Sequence, residues 1–214
     1  MIQISKRDHY FSNKPRSKRQ KFKVQLTIYN RKFEFITASG VFSPRKVDLG
    51  TIVLLKNAKF PESGIVADLG CGYGIIGIII SKIYPSLAVH FYDINKRAIN
   101  LAKENIAIQN LRNYSVFEGD FVRNLHVNGI KYDALYINPP IKIGQDKFIP
   151  QITSAIEFLK KNSTIYIVIK RSLGAQGVLS KINRFFEIKN RTESVEINVK
   201  KSSGYWVIAV KKMD

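Results

Sequence analysis

The most informative tripeptide of the 214-residue chain is Asn138-Pro139-Pro140, because these residue types can activate a nitrogen that is normally inert. Two prolines fix the backbone, and Pro139 gives up a donor while keeping its carbonyl. Asn138 adds a side-chain carbonyl, so acceptors converge on one planar NH2 group. The lone pair of an NH2 conjugated with an aromatic ring or a carbonyl is delocalised. Accepting its hydrogens pulls the nitrogen toward tetrahedral geometry and aims the lone pair at an electrophilic carbon. No strong base is then needed, because the proton leaves later from an acidic ammonium. An isolated Asn-Pro-Pro is more often a turn behind a strand, so the residues ahead of it decide.

Those residues include VADLGCGYGIIG, 66–77, which contains Gly72-x-Gly74-x-x-Gly77, a formal match to a dinucleotide fingerprint and weak by itself. In a dinucleotide fold, helix N-terminal amides face a pyrophosphate. Here Asp68 closes the strand ahead of Gly70-x-Gly72-x-Gly74, and a carboxylate there would repel a diphosphate. It suits a ligand with a cationic end, while the glycines let the backbone approach closely. S-adenosylmethionine has such an end, and its sulfonium supplies an activated methyl group. Asp93, in HFYDINKRA after the next strand, can accept both hydroxyls of a ribose, with Ile94 beside it. After the third strand, Glu118-Gly119-Asp120 followed by Phe121 offers an acid for an adenine amino group. A glycine-tightened loop with helix-capping acids is the bland alternative.

These strand ends need a frame. Apolar runs at 65–69, 87–93, 114–118, 132–138 and 164–170 alternate with helix-length segments at 75–84, 96–109, 148–160 and 175–185. Such alternation predicts an α/β fold with a mostly parallel sheet covered by helices on both faces. Segments 194–200 and 205–211, joined by Ser-Ser-Gly, predict an antiparallel hairpin at one sheet edge. Upstream, KFKVQLTIYNRKFEFI, 21–36, alternates basic or polar with apolar residues around Asn30 and predicts a β-hairpin with one basic face. The reading divides the chain into a basic arm and hairpin, 1–38, and a main domain, 39–214.

Composition narrows the partner. The formal net charge is +19, from 35 Lys and Arg against 16 Asp and Glu. Apolar residues make up 45 %, so a folded protein carries this charge, and an outside polyanion must answer it. Residues 1–32 hold ten of the cations and one acid, Asp8. A nucleic acid fits better than a membrane surface, which would ask for an amphipathic basic helix. A single cysteine excludes an internal disulfide, and His9, His90 and His126 have no zinc-ligand spacing. With no apolar run long enough to span a bilayer and no apolar signal core, a cytoplasmic location without membrane or metal is expected.

DLGCGYGIIGI (68–78), Asp93 and NPPI (138–141), in that order, resemble the class I S-adenosylmethionine-dependent methyltransferases. SGVFSPRKVDLGTIVLL (39–55) is similar to the methyltransferase small domain group, which includes ribosomal RNA guanine-N2 methyltransferases of the small-subunit type and single-domain archaeal relatives. The likeness runs from about His9 to the carboxyl terminus, with VIKRSLGA (168–175) and SGYWVIAVKK at its end. It implies a Rossmann-like seven-stranded sheet with one antiparallel strand. It implies Asp68, Gly70, Gly72, Gly74, Asp93 and Asp120 around the cofactor, and Asn138, Pro139 and Pro140 at the target amine. Phe42, Asp48 and Thr51 would lie over the methionine end, with core packing and helix capping as rival roles.

In one place the chain departs from this pattern. Many amino-directed methyltransferases carry an aromatic residue after the two prolines to stack on the target base, and here that residue is Ile141. Phe42 or Phe148 would have to supply the platform. Lys142, Lys170 and Arg171 are placed to hold phosphates flanking a splayed nucleotide, and the hairpin with residues 1–24 would dock RNA. The expectation is methyl transfer to an exocyclic amine of RNA, guanine N2 of ribosomal RNA first. Alternatives are tRNA guanine N2, adenine N6, the amide of a protein glutamine, and a non-catalytic RNA-binding or assembly protein. A nicotinamide dehydrogenase is the remote one.

Overall fold

A computed structural model describes residues 20–139, 144–188 and 194–213 of the chain. Its hairpin pairs β1 (Lys21–Ile28) with β2 (Arg31–Ala38). Tyr29 and Asn30 have φ of 52° and 56°, the two-residue turn whose twist suits a hairpin. Val24, Leu26, Ile28, Phe33 and Phe35 are buried, while Lys21, Lys23 and Lys32 stay exposed on the other side. One face is thus basic, as the alternation predicts.

The main sheet holds β3 (Gly64–Leu69), β4 (Leu87–Asp93), β5 (Tyr114–Glu118), β6 (Tyr132–Ile137), β7 (Leu159–Lys170), β8 (Val195–Ser202) and β9 (Tyr205–Lys212). Their order is β5-β4-β3-β6-β7-β9-β8, and β9 alone runs antiparallel to its neighbours. The order reverses between β3 and β6, which opens a crevice at the carboxyl ends of the strands. Among the described residues six α-helices cover the sheet: α1 (Leu49–Asn57), α2 (Ile75–Ile83), α3 (Lys96–Ile108), α4 (Phe121–Asn128), α5 (Gln145–Ile156) and α6 (Ala175–Ile188). One buried cluster joins the hairpin to α1, α2 and α3, and the other lies under α4, α5 and α6. None of the described helices is long and apolar enough to cross a membrane.

Two contacts fix the parts that matter for function. Asn105 of α3, fully buried, accepts the Ile36 N–H (2.7 Å) and donates to the carbonyls of Ile36 and Tyr73 (2.8 Å each). It locks the hairpin to the loop after β3. At Gly77 in α2, an added Cβ would stand 2.3 Å from the Phe91 ring, so glycine lets this helix lie close on β4.

Four elements differ from the sequence expectation. Neither α1 nor α4 is among the expected segments: α1 is apolar nearly all round, and α4, eight residues long, buries only Leu125 completely. The expected helix 148–160 runs instead from Gln145 to Ile156. Leu159 pairs with Tyr132, and Thr164 with Ala134, so β7 starts early and bulges at 160–163, where Asn162 has φ of 61°.

Candidate active site

The loop from Gly70 to Gly74 turns from β3 into α2 across the crevice, and backbone hydrogen bonds hold it there. The Gly70 and Cys71 amides both donate to the Tyr92 carbonyl at 2.8 Å. The Gly72 amide donates to Asp93 Oδ2 (2.8 Å), and the Asn95 amide to Asp93 Oδ1 (2.8 Å). Beneath the loop, Asp68 Oδ2 accepts the Gly77 amide at 2.9 Å. Asp68 is 1 % exposed, and its Oδ1 has no partner among the described residues.

The loop walls a cavity of about 340 Å³. Gly70, Gly72, Asp93, Ile94, Asp120, Phe121, Asn138, Pro139, Thr51 and Phe42 all line it, so the structure gathers most of the sequence-selected residues around one space. Asp48 and Phe148 line it as well. Asp68 and Gly74 do not: Asp68 braces α2 from below, and Gly74, with φ of 92°, is the first cap of that helix. Lys170 and Arg171 are exposed at the end of β7 and stand outside the lining. Pro140, Ile141 and Lys142 lie outside the described residues, as does the basic arm through Arg19.

Residue spacing did not single out Cys71, Tyr73, Ile75, Ile76 and Gln151, which also line the cavity. The first four were legible as neighbours of the glycine motif. Gln151 had no such signal; it comes from α5 and donates to Asp120 Oδ2 at 3.2 Å. Asp120 also caps α4 by accepting the Arg123 amide at 3.0 Å.

Asn138 is anchored from across the chain. Its Nδ2 donates to Asp48 Oδ2 (2.9 Å) and to Thr51 Oγ1 (3.1 Å), while Asp48 Oδ2 caps α1 by accepting the Thr51 amide (3.1 Å). Helix capping, the rival role for Asp48, is therefore present alongside a contact with the Asn-Pro-Pro segment. Phe42 is 42 % exposed at the cavity wall and Phe148 only 1 %, so of these two rings Phe42 is the more exposed.

Burial dominates the electrostatics. It raises the Asp68 carboxyl to about 7, against the Gly77 hydrogen bond, and the Asp93 carboxyl to about 6, against three backbone hydrogen bonds. Burial, with both carboxylates near, also pushes the Cys71 thiol up. Among the described residues no group of three or more His, Cys, Asp or Glu is placed to hold a metal ion.

The methyltransferase small domain family, by its family model, matches residues 32–207. The chain belongs to that family. It is 31 % identical over 208 residues to "Uncharacterized protein YbxB" of Bacillus subtilis (strain 168), covering 96 % of this chain and 99 % of that one. It is 33 % identical over 181 residues to "Ribosomal RNA small subunit methyltransferase C" of Psychromonas ingrahamii, covering 81 % of this chain and 49 % of that one. Against that enzyme the chain spans about half the length. The fold is also that of the T. thermophilus 16S rRNA N2 G1207 methyltransferase, solved with AdoMet and guanosine. The TM-score is 0.71 at 17 % identity, over 91 % of this chain and 51 % of that one.

Membership makes the protein an S-adenosylmethionine-dependent methyltransferase, and the residues present fit that cofactor. A Cβ at Gly70 would meet no protein atom within 4 Å, leaving the loop backbone open to the cavity. Asp93 and Asp120 stand at the carboxyl ends of successive strands with acceptor oxygens at the wall. Asp68 Oδ1, without a partner among the described residues, is a buried polar atom beneath the loop.

Asp68 carries a prediction for the ligand-free protein. Its native pKa, about 7, lies above the ordinary 3.8, so the fold favours the protonated acid. The stability this contributes is present below pH 4 and lost as pH rises through about 7. Asp68→Asn keeps an acceptor for Gly77 and removes the ionisation cost, so at pH 8 the variant is expected to be more stable by on the order of 2 kcal/mol. At pH 4 the two proteins should melt alike. Thermal denaturation at both pH values checks this, and a less stable variant at pH 8 would show that the carboxylate is held ionised by something else.

Proposed function

We propose that the protein transfers a methyl group from S-adenosylmethionine to an exocyclic amine of RNA, guanine N2 of ribosomal RNA first. The observation that carries this reading is the Asn138 amide at the wall of the glycine-loop cavity. Its NH2 group is engaged by Asp48 and Thr51, so the carbonyl oxygen remains for a substrate. When bound, S-adenosylmethionine supplies an activated methyl group. Asp93 and Asp120 hold the nucleoside end, and the glycine loop lets the backbone pass close to the rest. Asn138 Oδ1, with the Pro139 carbonyl beside it, accepts the hydrogens of the target amine and localises its lone pair. Phe42 offers an aromatic face for the base. Outside the cavity, Lys170, Arg171 and the lysine-bearing face of the hairpin supply charge for phosphates.

The relatives support RNA as the substrate without agreeing on one site. Besides the small-subunit enzyme, "Ribosomal RNA large subunit methyltransferase G" of Shewanella halifaxensis is 29 % identical over 171 residues, 75 % of this chain and 38 % of that one. Labelled S-adenosylmethionine should therefore be offered to unmodified RNA of each ribosomal subunit, tRNA and total protein in parallel, followed by nucleoside analysis. Labelled N2-methylguanosine in ribosomal RNA is the expected product. Methylglutamine in protein would overturn the RNA assignment, and label on adenine N6 would move the target base. Salt-dependent RNA binding without label in any pool would favour a non-catalytic binding protein.

A further inference from the structure

The geometry points to Asp48 and Thr51 as positioning residues that hold the Asn138 amide in one of its two flip states, leaving Oδ1 to face the substrate. The inference deepens the proposed amine methylation and rests on it. An amide can rotate by half a turn and present NH2 where the carbonyl was, and such a flip would turn the acceptor into a donor aimed at the amine it should activate. Asp48 prevents this by chemistry, because an ionised carboxylate only accepts. Of the two ends of the Asn138 amide, only the NH2 group can donate to Asp48 Oδ2, which lies 2.9 Å from Asn138 Nδ2. Thr51 Oγ1 takes the second hydrogen at 3.1 Å. Both amide hydrogens are then used, and Oδ1 makes no hydrogen bond among the described residues. Donation to a charged acceptor also polarises the amide and makes Oδ1 the stronger acceptor.

A glycine supports the arrangement. At Gly50, in the first turn of α1, an added Cβ would stand 2.8 Å from Asp48 Oδ2 and 3.0 Å from the Tyr205 ring. Alanine is the better helix former, yet its methyl would push out the very oxygen that holds Asn138. The missing Cβ leaves room for the carboxylate. Asp48, Gly50 and Thr51 thus act together at the head of one helix upon a residue 87 to 90 positions away.

Four variants separate clamp from cap and from cofactor site. Asp48→Ser keeps an N-cap of comparable strength, but its hydroxyl is too short to reach both Thr51 and Asn138. Asp48→Asn can keep both contacts through its own carbonyl and loses only the charge. Gly50→Ala leaves Asp48 in the sequence and displaces it. Asn138→Ala is the control. With ribosomal RNA as substrate, Asp48→Ser and Gly50→Ala are expected to lower kcat by about 10- to 100-fold at unchanged affinity for S-adenosylmethionine, with Asp48→Asn about tenfold less impaired than Asp48→Ser. A loss of cofactor affinity that accounts for the lower rate would place Asp48 in the cofactor site and overturn the clamp. So would a wild-type kcat in Asp48→Ser while Asn138→Ala is impaired. If Asn138→Ala itself turns over at the wild-type rate, the role given to Asn138 fails, and the clamp with it. A readout independent of turnover is the side-chain NH2 pair of Asn138 in 15N-resolved NMR, assigned by its disappearance in Asn138→Ala. Slow exchange with water in the wild type and fast exchange in Asp48→Ser and Gly50→Ala is expected; equal exchange in all three would overturn the proposal.

Discussion

Asn138→Ala will lower the rate of methyl transfer by about 10²- to 10³-fold, some 3 to 4 kcal/mol of barrier, while leaving the affinity for S-adenosylmethionine within a few-fold of wild type. The asymmetry follows from where the side chain works. Its oxygen is assigned to hydrogens of the target amine, and that bond strengthens only as the nitrogen gives up its conjugation on the way to the transition state. Binding in the ground state gains little from it. Nor does the alanine leave a buried charge unpaired, because Asp48 keeps the Thr51 amide and lies in a part-exposed position. Single-turnover transfer with saturating RNA, beside calorimetric titration with S-adenosylmethionine, reads the two quantities separately. An equal loss in both would put Asn138 in the cofactor site and end its assignment to the amine.

What the sequence disclosed follows from the range of the interactions involved. The hairpin was legible because strict alternation flanks a two-residue turn in which Tyr29 and Asn30 accept positive φ. The parallel sheet was legible because its central strands, buried on both faces, read as apolar runs between helix-length segments. Helix α1 was not, since LGTIVLLKN meets protein on nearly every side and shows no period; α4, at eight residues, is too short for its one-sided pattern to stand out. The bulged start of β7 depends on the pairing of Leu159 with Tyr132, which no local pattern announces.

The site divides in the same way. Residue types and spacing, with the family resemblance for Phe42, Asp48 and Thr51, placed most of the selected residues on one cavity, because the ends of neighbouring parallel strands must converge. Spacing could not say which way Asp68 points, and its carboxylate turns under the loop to Gly77 instead of lining the space. The contact between Asp48 and Asn138 crosses 90 residues and exists only once α1 has docked on β7 and β9.

Asp93→Ala is expected to have the opposite signature, a loss of cofactor affinity of about 10- to 100-fold, 1.4 to 2.8 kcal/mol, with turnover at saturating cofactor much less affected. Two losses combine in it. One is the acceptor pair assigned to the ribose hydroxyls. The other is the order of the cavity wall, since Asp93 joins the Gly72 amide to the Asn95 amide, and Asn95 in turn caps α3 and donates to the Gly40 carbonyl at 2.9 Å. The carboxyl's raised pKa, about 6, supplies a second test that mutation alone does not. Hydroxyl donors favour the ionised form, so wild-type affinity for S-adenosylmethionine should weaken as pH falls through 6. The ligand-free fold responds the other way: burial favours the protonated acid, so the stability Asp93 contributes is present below the ordinary carboxylate range and lost as pH rises through 6. Asp93→Asn should bind weakly with no titration near pH 6. Titrations from pH 5 to 8 on wild type and Asp93→Asn decide it: the same pH dependence in both proteins would assign the effect to another group and take Asp93 out of the ribose contact.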